Sequence, residues 1–192
     1  GIPIGAICTD YSKSLVFPFK SSEANNTVVF FPGSSLGNFD TENAIKFLGR
    51  VANLLKGSEG GFLIGIDLKK DREVLEAAYD DSDGVTAKFN LNLLIRANKE
   101  LNANFDVSKF FHRALYNHKK GRIEMHLVSR ISQIVSIGSN SFEFFENEYI
   151  HTENSYKYSL SQFEKMWREA GFNSSRHWCD LKEYFSVHYL KL

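Results

Sequence analysis

The chain has 192 residues, of which 43% are hydrophobic and 24% are charged, a size and composition typical of a globular domain with a substantial core. Its 23 basic and 23 acidic side chains cancel, and runs of Lys and Arg are short, so a nucleic-acid-binding surface is not expected. No apolar run reaches membrane-spanning length, and Cys8 and Cys179 lack the spacing of a disulfide framework. These features predict a cytoplasmic protein that binds neither nucleic acid nor membranes.

The clearest local pattern is a strand, a turn and a helix over residues 28–57. Val28–Phe31 is a short apolar run typical of a buried parallel strand, and a Pro-Gly pair interrupts it. Asp40 is suited to cap a helix whose apolar residues recur at helical spacing until Gly57. Because ligands bind at the carboxyl ends of strands in open α/β sheets, a functional site is expected at the turn over residues 32–39.

The other elements follow from changes in hydrophobic period. Before and after the first helix, the sequence predicts an edge strand over 2–8, a polar connection over 12–27 and a buried strand over 62–66. Helices are predicted over 72–79 and 85–101, followed by strands around 123–127, 131–137 and 141–152. A capping box of Ser159 and Gln162 opens a last helix, and strands over 174–179 and 184–191 follow it. The sequence therefore predicts an α/β sheet, then an antiparallel insertion, then a closing helix and strand pair.

One candidate for chemistry is the G-x-S-x-G pattern of Gly33–Gly37, which lies between a strand and a helix. In a serine hydrolase, Ser35 would be the nucleophile, Asp67 the acid, and His177 or His188 the base. No His-Gly-Gly segment precedes the pattern, and the helix begins several residues after the serine. A hydrolase is therefore the lesser alternative.

A second candidate is a group of polar residues suited to binding rather than to hydrolysis. Glu153 and Ser155 are two residues apart, so in an extended segment they face the same side and could bind a planar group such as an imidazole. Asn38 and Tyr79 could donate to a carboxylate, but spacing alone does not distinguish these roles from ordinary surface positions. The six histidines show no i, i+4 pairing and no cysteine partners, so no metal site is expected.

Five motifs in a fixed order carry a family resemblance: Phe31–Phe39, Asp67–Asp71, Ala78–Asn90, Arg122–Leu127 and Thr152–Tyr158. Together they resemble the histidine-specific, S-adenosylmethionine-dependent Nα-methyltransferases of ergothioneine biosynthesis, from about residue 5 to the C terminus. The resemblance implies the later half of a Rossmann-like class I methyltransferase sheet with an α+β substrate-binding insertion. It assigns residues 1–70 to the methyltransferase core, 71–158 to the insertion and 159–192 to the helix and strands that complete the sheet.

The resemblance also implies roles for individual residues in binding a small amino-acid substrate. Asn38 and Tyr79 would hold the α-carboxylate of L-histidine, and Glu153 and Ser155 would hold its imidazole. Met125 would pack near the ring. The reaction implied is methylation of the α-amino group, which forms hercynine; a methyltransferase for another amino acid or a histidine derivative is the alternative.

For the cofactor S-adenosylmethionine, the resemblance implies contacts from Asp10, Tyr11 and Gly33, with the first two bordering the adenine. The glycine-rich cofactor loop of the family has no match in residues 1–30, and the chain begins at Gly1 rather than at Met. We therefore expect a C-terminal part of a longer methyltransferase, inactive or nearly so by itself, whose missing N-terminal half is its partner. No catalytic acid, base or nucleophile is expected.

Overall fold

A computed structural model describes residue 2, residues 4–13 and residues 26–192. The chain divides into two compact units: unit 1 comprises Gly1–Lys69 and Tyr158–Leu192, and unit 2 comprises Lys70–Lys157. None of the helices in the described part of the chain combines the length and the hydrophobicity that a membrane crossing requires.

The helices and strands lie between Val28 and Lys191, with five consecutive strands between Phe110 and Tyr156. In order they are β1 (Val28–Phe31), α1 (Thr41–Leu55), β2 (Gly61–Asp67), α2 (Arg72–Tyr79), α3 (Val85–Leu101), β3 (Phe110–Asn117), β4 (Arg122–Ser129), β5 (Gln133–Ile137), β6 (Asn140–Phe144), β7 (Tyr149–Tyr156), α4 (Leu160–Glu169), β8 (Ser174–Cys179) and β9 (Phe185–Lys191).

Unit 1 is an α/β sheet with the strand order β1-β2-β9-β8. Strands β1 and β2 are parallel and joined through α1, whereas β9 runs antiparallel to both of its neighbours. The predicted α/β fold class, with antiparallel strands closing a Rossmann-like sheet, is confirmed. Asp40 caps α1 as predicted, because its side chain accepts from the Asn43 amide at 2.8 Å. The capping box of Ser159 and Gln162 opens α4.

The carboxyl ends of β1 and β2 approach each other closely at Gly65. A Cβ atom there would lie 2.0 Å from the Pro32 carbonyl oxygen, so only glycine fits. Strand β2 is otherwise largely buried, in keeping with its apolar run. This contact fixes the turn after β1 against the end of β2, where the sequence predicts a site.

Unit 2 contains a three-stranded antiparallel sheet of order β3-β4-β7 and a β5-β6 hairpin. The central strand β4 is buried along nearly its whole length. Helix α2 packs on this sheet through Leu75, and helix α3 packs through Leu94 in a second core with Phe110 and Leu127. The period of two in the sequence therefore marks a real antiparallel sheet.

Two predicted strands differ from the structure. Residue 2 and residues 4–10 form no strand, and Ile2 and Ile4 are 90% and 93% exposed; β-favouring composition without a hydrogen-bonding partner does not make a strand. The run predicted over 141–152 divides into β6 and β7, because Asn147 adopts a left-handed φ of 68° and a turn forms. Most of the connection predicted over 12–27 lies outside the described residues.

Candidate functional site

In unit 1, the turn after β1 is held to the end of β2 by Ser34. This residue adopts a left-handed conformation, with φ 55° and ψ 20°, and its Oγ accepts from the Asp67 amide at 2.8 Å. The Gly37 amide donates to the Ser34 carbonyl at 2.9 Å. Asn38 ends this turn with an exposed side chain, so its amide is available at the carboxyl edge of the sheet.

The hydrolase alternative has no support in this geometry. The left-handed residue of the turn is Ser34, not Ser35, so the serine of the pattern is not at the strained position of a nucleophile elbow. His177 and His188 line a pocket beside α4 that includes neither Ser35 nor Asp67. Within the described residues no hydrogen bond joins Ser35 to a histidine, and no Ser-Asp-His relay is formed.

The candidate cofactor residues of unit 1 are accessible. The Tyr11 ring is 44% exposed and packs edge-on against Phe31, with ring centroids 5.8 Å apart, so it lies at the end of β1. Asp10 is exposed; the Ser12 hydroxyl and amide that donate to it lower its pKa and keep it ionised. Among the described residues, the one atom within 4 Å of a Cβ built at Gly33 is the Ser35 Oγ, at 3.8 Å, which is an ordinary van der Waals distance.

Unit 2 brings three polar side chains into one compact network. The Tyr79 Oη and the Ser155 Oγ are 2.7 Å apart, and the Lys157 Nζ donates to both, at 2.8 Å and 2.9 Å. Tyr79 ends α2, Ser155 lies in β7, and Lys157 directly follows the last residue of β7. The sequence interpretation paired Tyr79 with Asn38 and Ser155 with Glu153, whereas the structure joins Tyr79 to Ser155 and adds Lys157, which the sequence interpretation did not include. The alternation of 153, 155 and 157 along one strand face was the available signal.

Glu153 and Met125 face each other on neighbouring strands. They are direct partners in the β4–β7 register, and a bulge follows at once, because His126 pairs with His151 and Thr152 has no partner. The Thr152 hydroxyl donates to the Met125 carbonyl at 2.9 Å and holds the bulge. Partial burial raises the pKa of the Glu153 carboxyl, and the positive charge of Lys157 opposes that rise.

A buried chain of hydrogen bonds supports the Tyr79 backbone. The His112 Nε2 lies 2.8 Å from the Tyr79 carbonyl oxygen, and the Asn90 Nδ2 lies 2.9 Å from the His112 Nδ1. A carbonyl only accepts, so the His112 Nε2 donates and its Nδ1 accepts from Asn90. Asn90 is fully buried and makes this hydrogen bond, whereas Asn92 on the same helix is exposed.

The expectation of no metal site rested on helical spacing, but a strand pair groups Glu124, His126 and His151 with ligand atoms within 4.8 Å of one another. Arg122 donates to the Glu124 Oε1 at 2.6 Å, and Arg113 borders the His126 Nδ1 at 3.4 Å. These two guanidinium groups outweigh the single carboxylate and oppose a divalent cation. Burial lowers the pKa of His126, so this ring is neutral and lies stacked on a tyrosine.

Comparisons of the chain with a family model and with individual proteins agree on one family. Residues 1–192 match the family described as histidine-specific methyltransferase, SAM-dependent. The histidine N-alpha-methyltransferase of Mycolicibacterium smegmatis is 37% identical over 182 residues, which are 94% of this chain and 56% of that protein. The ergothioneine biosynthesis protein 1 of Schizosaccharomyces pombe is 26% identical over 174 residues, 89% of this chain and 22% of that protein.

The chain spans about half the length of the bacterial relative that it matches. Among solved structures, an S-adenosylmethionine-dependent methyltransferase from Clostridium acetobutylicum aligns with a TM-score of 0.47 and 14% identity, over 97% of this chain and 63% of that one.

Proposed function

Because the chain belongs to the family of histidine-specific, S-adenosylmethionine-dependent methyltransferases, we propose that the protein carrying it methylates the α-amino group of L-histidine. The observation that supports this most strongly is the polar network of unit 2, in which Tyr79, Ser155 and Lys157 are already assembled beside the β4–β7 pair that carries Glu153. A binding site of preset hydrogen-bonding groups suits a small polar substrate.

The imidazole of the substrate is assigned to Glu153 and Ser155. A carboxylate accepts an imidazole N–H in a charge-assisted hydrogen bond worth roughly 1.5–3 kcal/mol, which is enough to favour histidine over apolar amino acids. The buried Met125, which pairs with Glu153, supplies an apolar surface for the ring. Tyr79 donates to the α-carboxylate, and Asn38 of unit 1 is proposed as a second donor on the family resemblance alone.

Positioning is the contribution we assign to the chain's own residues. S-adenosylmethionine, when bound, supplies an electrophilic methyl group, and the amine that attacks it must be neutral and correctly oriented. Orientation of bound reactants supplies about 7–11 kcal/mol of a barrier in favourable cases. A hydrogen bond donated by Tyr79 to the carboxylate and one accepted by Glu153 from the imidazole would fix the amine between them, without a nucleophile or base from the protein.

Asp10, Tyr11 and Gly33 are proposed to contact the cofactor. Their accessibility supports this assignment: the carboxylate is ionised, the tyrosine ring is partly exposed, and among the described residues nothing lies closer than 3.8 Å to the position of a Cβ atom at the glycine. An ionised carboxylate can accept from hydroxyl and amino groups, and a ring can pack on a planar base. These are the donors and faces that an adenosyl group presents.

We also propose that further polypeptide covers β1, as the expected N-terminal half would. Within the described residues no strand pairs with the outer edge of β1, and Val28 and Phe30 are 54% and 66% exposed. Strands of a parallel sheet are ordinarily buried on both faces, so the exposure of these two apolar side chains indicates a face that further polypeptide covers. The unpaired edge of β1 can likewise accept another strand. The cytoplasmic location remains a prediction of the sequence.

The test is calorimetric titration of the chain with L-histidine and with L-leucine in the presence of S-adenosylhomocysteine. We expect binding of histidine alone, weakened about ten-fold or more in Glu153→Ala by loss of the charge-assisted hydrogen bond. Glu143→Ala, which removes an exposed carboxylate of β6, is the matched control and should bind histidine as the unchanged chain does. Equal affinity of the Glu153→Ala variant, or preference for another amino acid, would contradict the assignment.

A further inference from the structure

Lys157 is the most deeply buried cationic side chain of unit 2, with 2% of its surface exposed. Its Nζ donates to the Tyr79 Oη and to the Ser155 Oγ and lies 4.6 Å from the centre of the Tyr79 ring. Burying an ammonium group is costly unless it is hydrogen-bonded and opposed by negative charge or an electron-rich face. The family resemblance assigns no role to this residue.

The hydroxyl groups of Tyr79 and Ser155 accept hydrogen bonds from the N–H groups of Lys157 and carry no charge of their own. An ammonium only donates, so the Tyr79 oxygen and the Ser155 oxygen both act as acceptors toward it. When the Ser155 hydroxyl also donates to the Tyr79 oxygen across their 2.7 Å contact, both acceptor positions of that oxygen are filled. The phenol proton of Tyr79 then points out of the network as a donor to a ligand.

A hydrogen-bond donor whose own oxygen accepts from a cation is polarised and binds anions more strongly. We propose that Lys157 is a positioning residue for the substrate carboxylate: it acts through Tyr79, which it holds as an outward donor beside a buried positive charge. This inference rests on the proposed function, because it takes the Tyr79 hydroxyl as the group that meets the α-carboxylate. The polarised Tyr79 hydroxyl would make the site bind amino acids more tightly than amines that lack a carboxylate.

The alternative hypothesis is that the only role of Lys157 is to compensate the negative charge of the Glu153 carboxylate. In that case its removal would disturb the imidazole end of the ligand and would affect every imidazole compound alike. Histamine separates the two hypotheses, because it has the imidazole and the amine of histidine but no carboxylate.

The experiment compares affinities for L-histidine and histamine, by calorimetry with S-adenosylhomocysteine present, in the unchanged chain, Lys157→Met and Tyr79→Phe. We expect Lys157→Met to lose about ten-fold or more in histidine affinity and to keep its histamine affinity within about two-fold. Tyr79→Phe removes the outward donor but keeps the cation, so the same selective loss should follow. Glu153→Ala should weaken both ligands.

Each outcome bears on a different proposal. Failure of the unchanged chain to bind histidine would overturn the proposed function, and with it the role of Lys157. Histidine binding by the unchanged chain, with equal losses for histidine and histamine in Lys157→Met, would overturn the role of Lys157 alone. Should Lys157→Met not fold, as judged by far-UV circular dichroism, Tyr79→Phe decides: losses that do not depend on the carboxylate would overturn the inference.

Discussion

Unit 1 and unit 2 fill their interiors with different kinds of side chain. The largest fully buried residues of unit 1 are apolar rings, among them Phe47, Phe62, Phe163 and Phe172. Of the nine buried polar residues in the described part of the chain, seven belong to unit 2: Asn90, His112, Glu124, His126, Ser129, Ser155 and Lys157. Unit 1 buries only Ser186 and His188 of this group.

The difference indicates a division between stability and recognition. An apolar core stabilises a fold without specifying hydrogen-bond directions, whereas a buried polar network is favourable only when its members are held in one arrangement. In unit 2 the Lys157, Tyr79 and Ser155 side chains are held in this way before any ligand binds. The comparison can be tested by perturbing each interior separately.

The largest effect is expected from the ring core of unit 1. Phe47 is 2% exposed and stacks on Phe39, with ring centroids 5.6 Å apart. We expect Phe47→Ala to lower the free energy of unfolding of unit 1 by about 3–5 kcal/mol, through lost burial and an unfilled cavity. Urea unfolding followed by tryptophan fluorescence measures this unit alone, because both tryptophans, Trp167 and Trp178, belong to it.

Phe30→Ala is the matched control for that experiment. Phe30 is the same residue type in the same unit, but it is 66% exposed, so its removal should change the free energy of unfolding by about 0.5 kcal/mol or less. Equal effects of the two substitutions would mean that the ring core does not stabilise unit 1 as described.

A somewhat smaller effect is expected from the one buried histidine of unit 1. His188 packs on Phe163 and shares a 2.9 Å hydrogen bond with Ser186, and burial, with a contribution from the charge of His177, lowers its pKa to about 4. The folded-state pKa is below the unfolded value of about 6.5, so the unfolded chain binds more protons between these values. Stability is full above about pH 6.5 and falls as the pH drops toward 4.

At about 1.36 kcal/mol per pKa unit, the loss approaches roughly 3 kcal/mol by pH 4. His188→Gln should remove most of this pH dependence, and His118→Gln, at an exposed position in unit 2, should not. The measurement is urea unfolding at pH 7.5 and pH 4.5, again by tryptophan fluorescence. The same loss in the unchanged chain and in His188→Gln would show that another group is responsible.

The smallest effect concerns the start of α3 in unit 2. Hydrogen bonds from the Thr86 hydroxyl and from the Thr86 and Val85 amides lower the pKa of Asp81 well below its usual range. A lowered carboxyl pKa contributes stability that is present above about pH 4 and lost as the pH falls below it. Asp81→Ala should therefore destabilise unit 2 more at pH 6 than at pH 2.

The ε-methyl resonance of Met125, the one methionine of unit 2, reports this melting in ¹³C-labelled protein. Asp83→Ala removes a neighbouring exposed carboxylate and serves as the control. A destabilisation of Asp81→Ala that is the same at pH 6 and pH 2 would rule out the ionised carboxylate as its cause.

Features encoded within a few neighbouring residues could be predicted well. The caps at Asp40 and Ser159, the α1 and α4 helices and the closing strand pair all depend on short-range patterns, and the structure contains each of them. The family resemblance added an ordering of motifs that a single pattern lacks. This is why it outweighed the G-x-S-x-G signal at Ser35, which a chance match of five residues can produce.

Only the tertiary structure decided which side chains are partners over long separations. The described part of the apolar run, residue 2 and residues 4–8, forms no strand, because a strand requires a partner that local sequence does not specify. A lysine is ordinarily expected at the surface, yet Lys157 is buried. Its Nζ donates a hydrogen bond to the hydroxyl of Tyr79, which lies 78 residues earlier in the chain. The sequence alone determined the family, the helices, most of the strands and the polar residues at strand ends. Burial and charge pairing were decided by packing, since the cost of placing an ammonium away from water depends on every group that surrounds it.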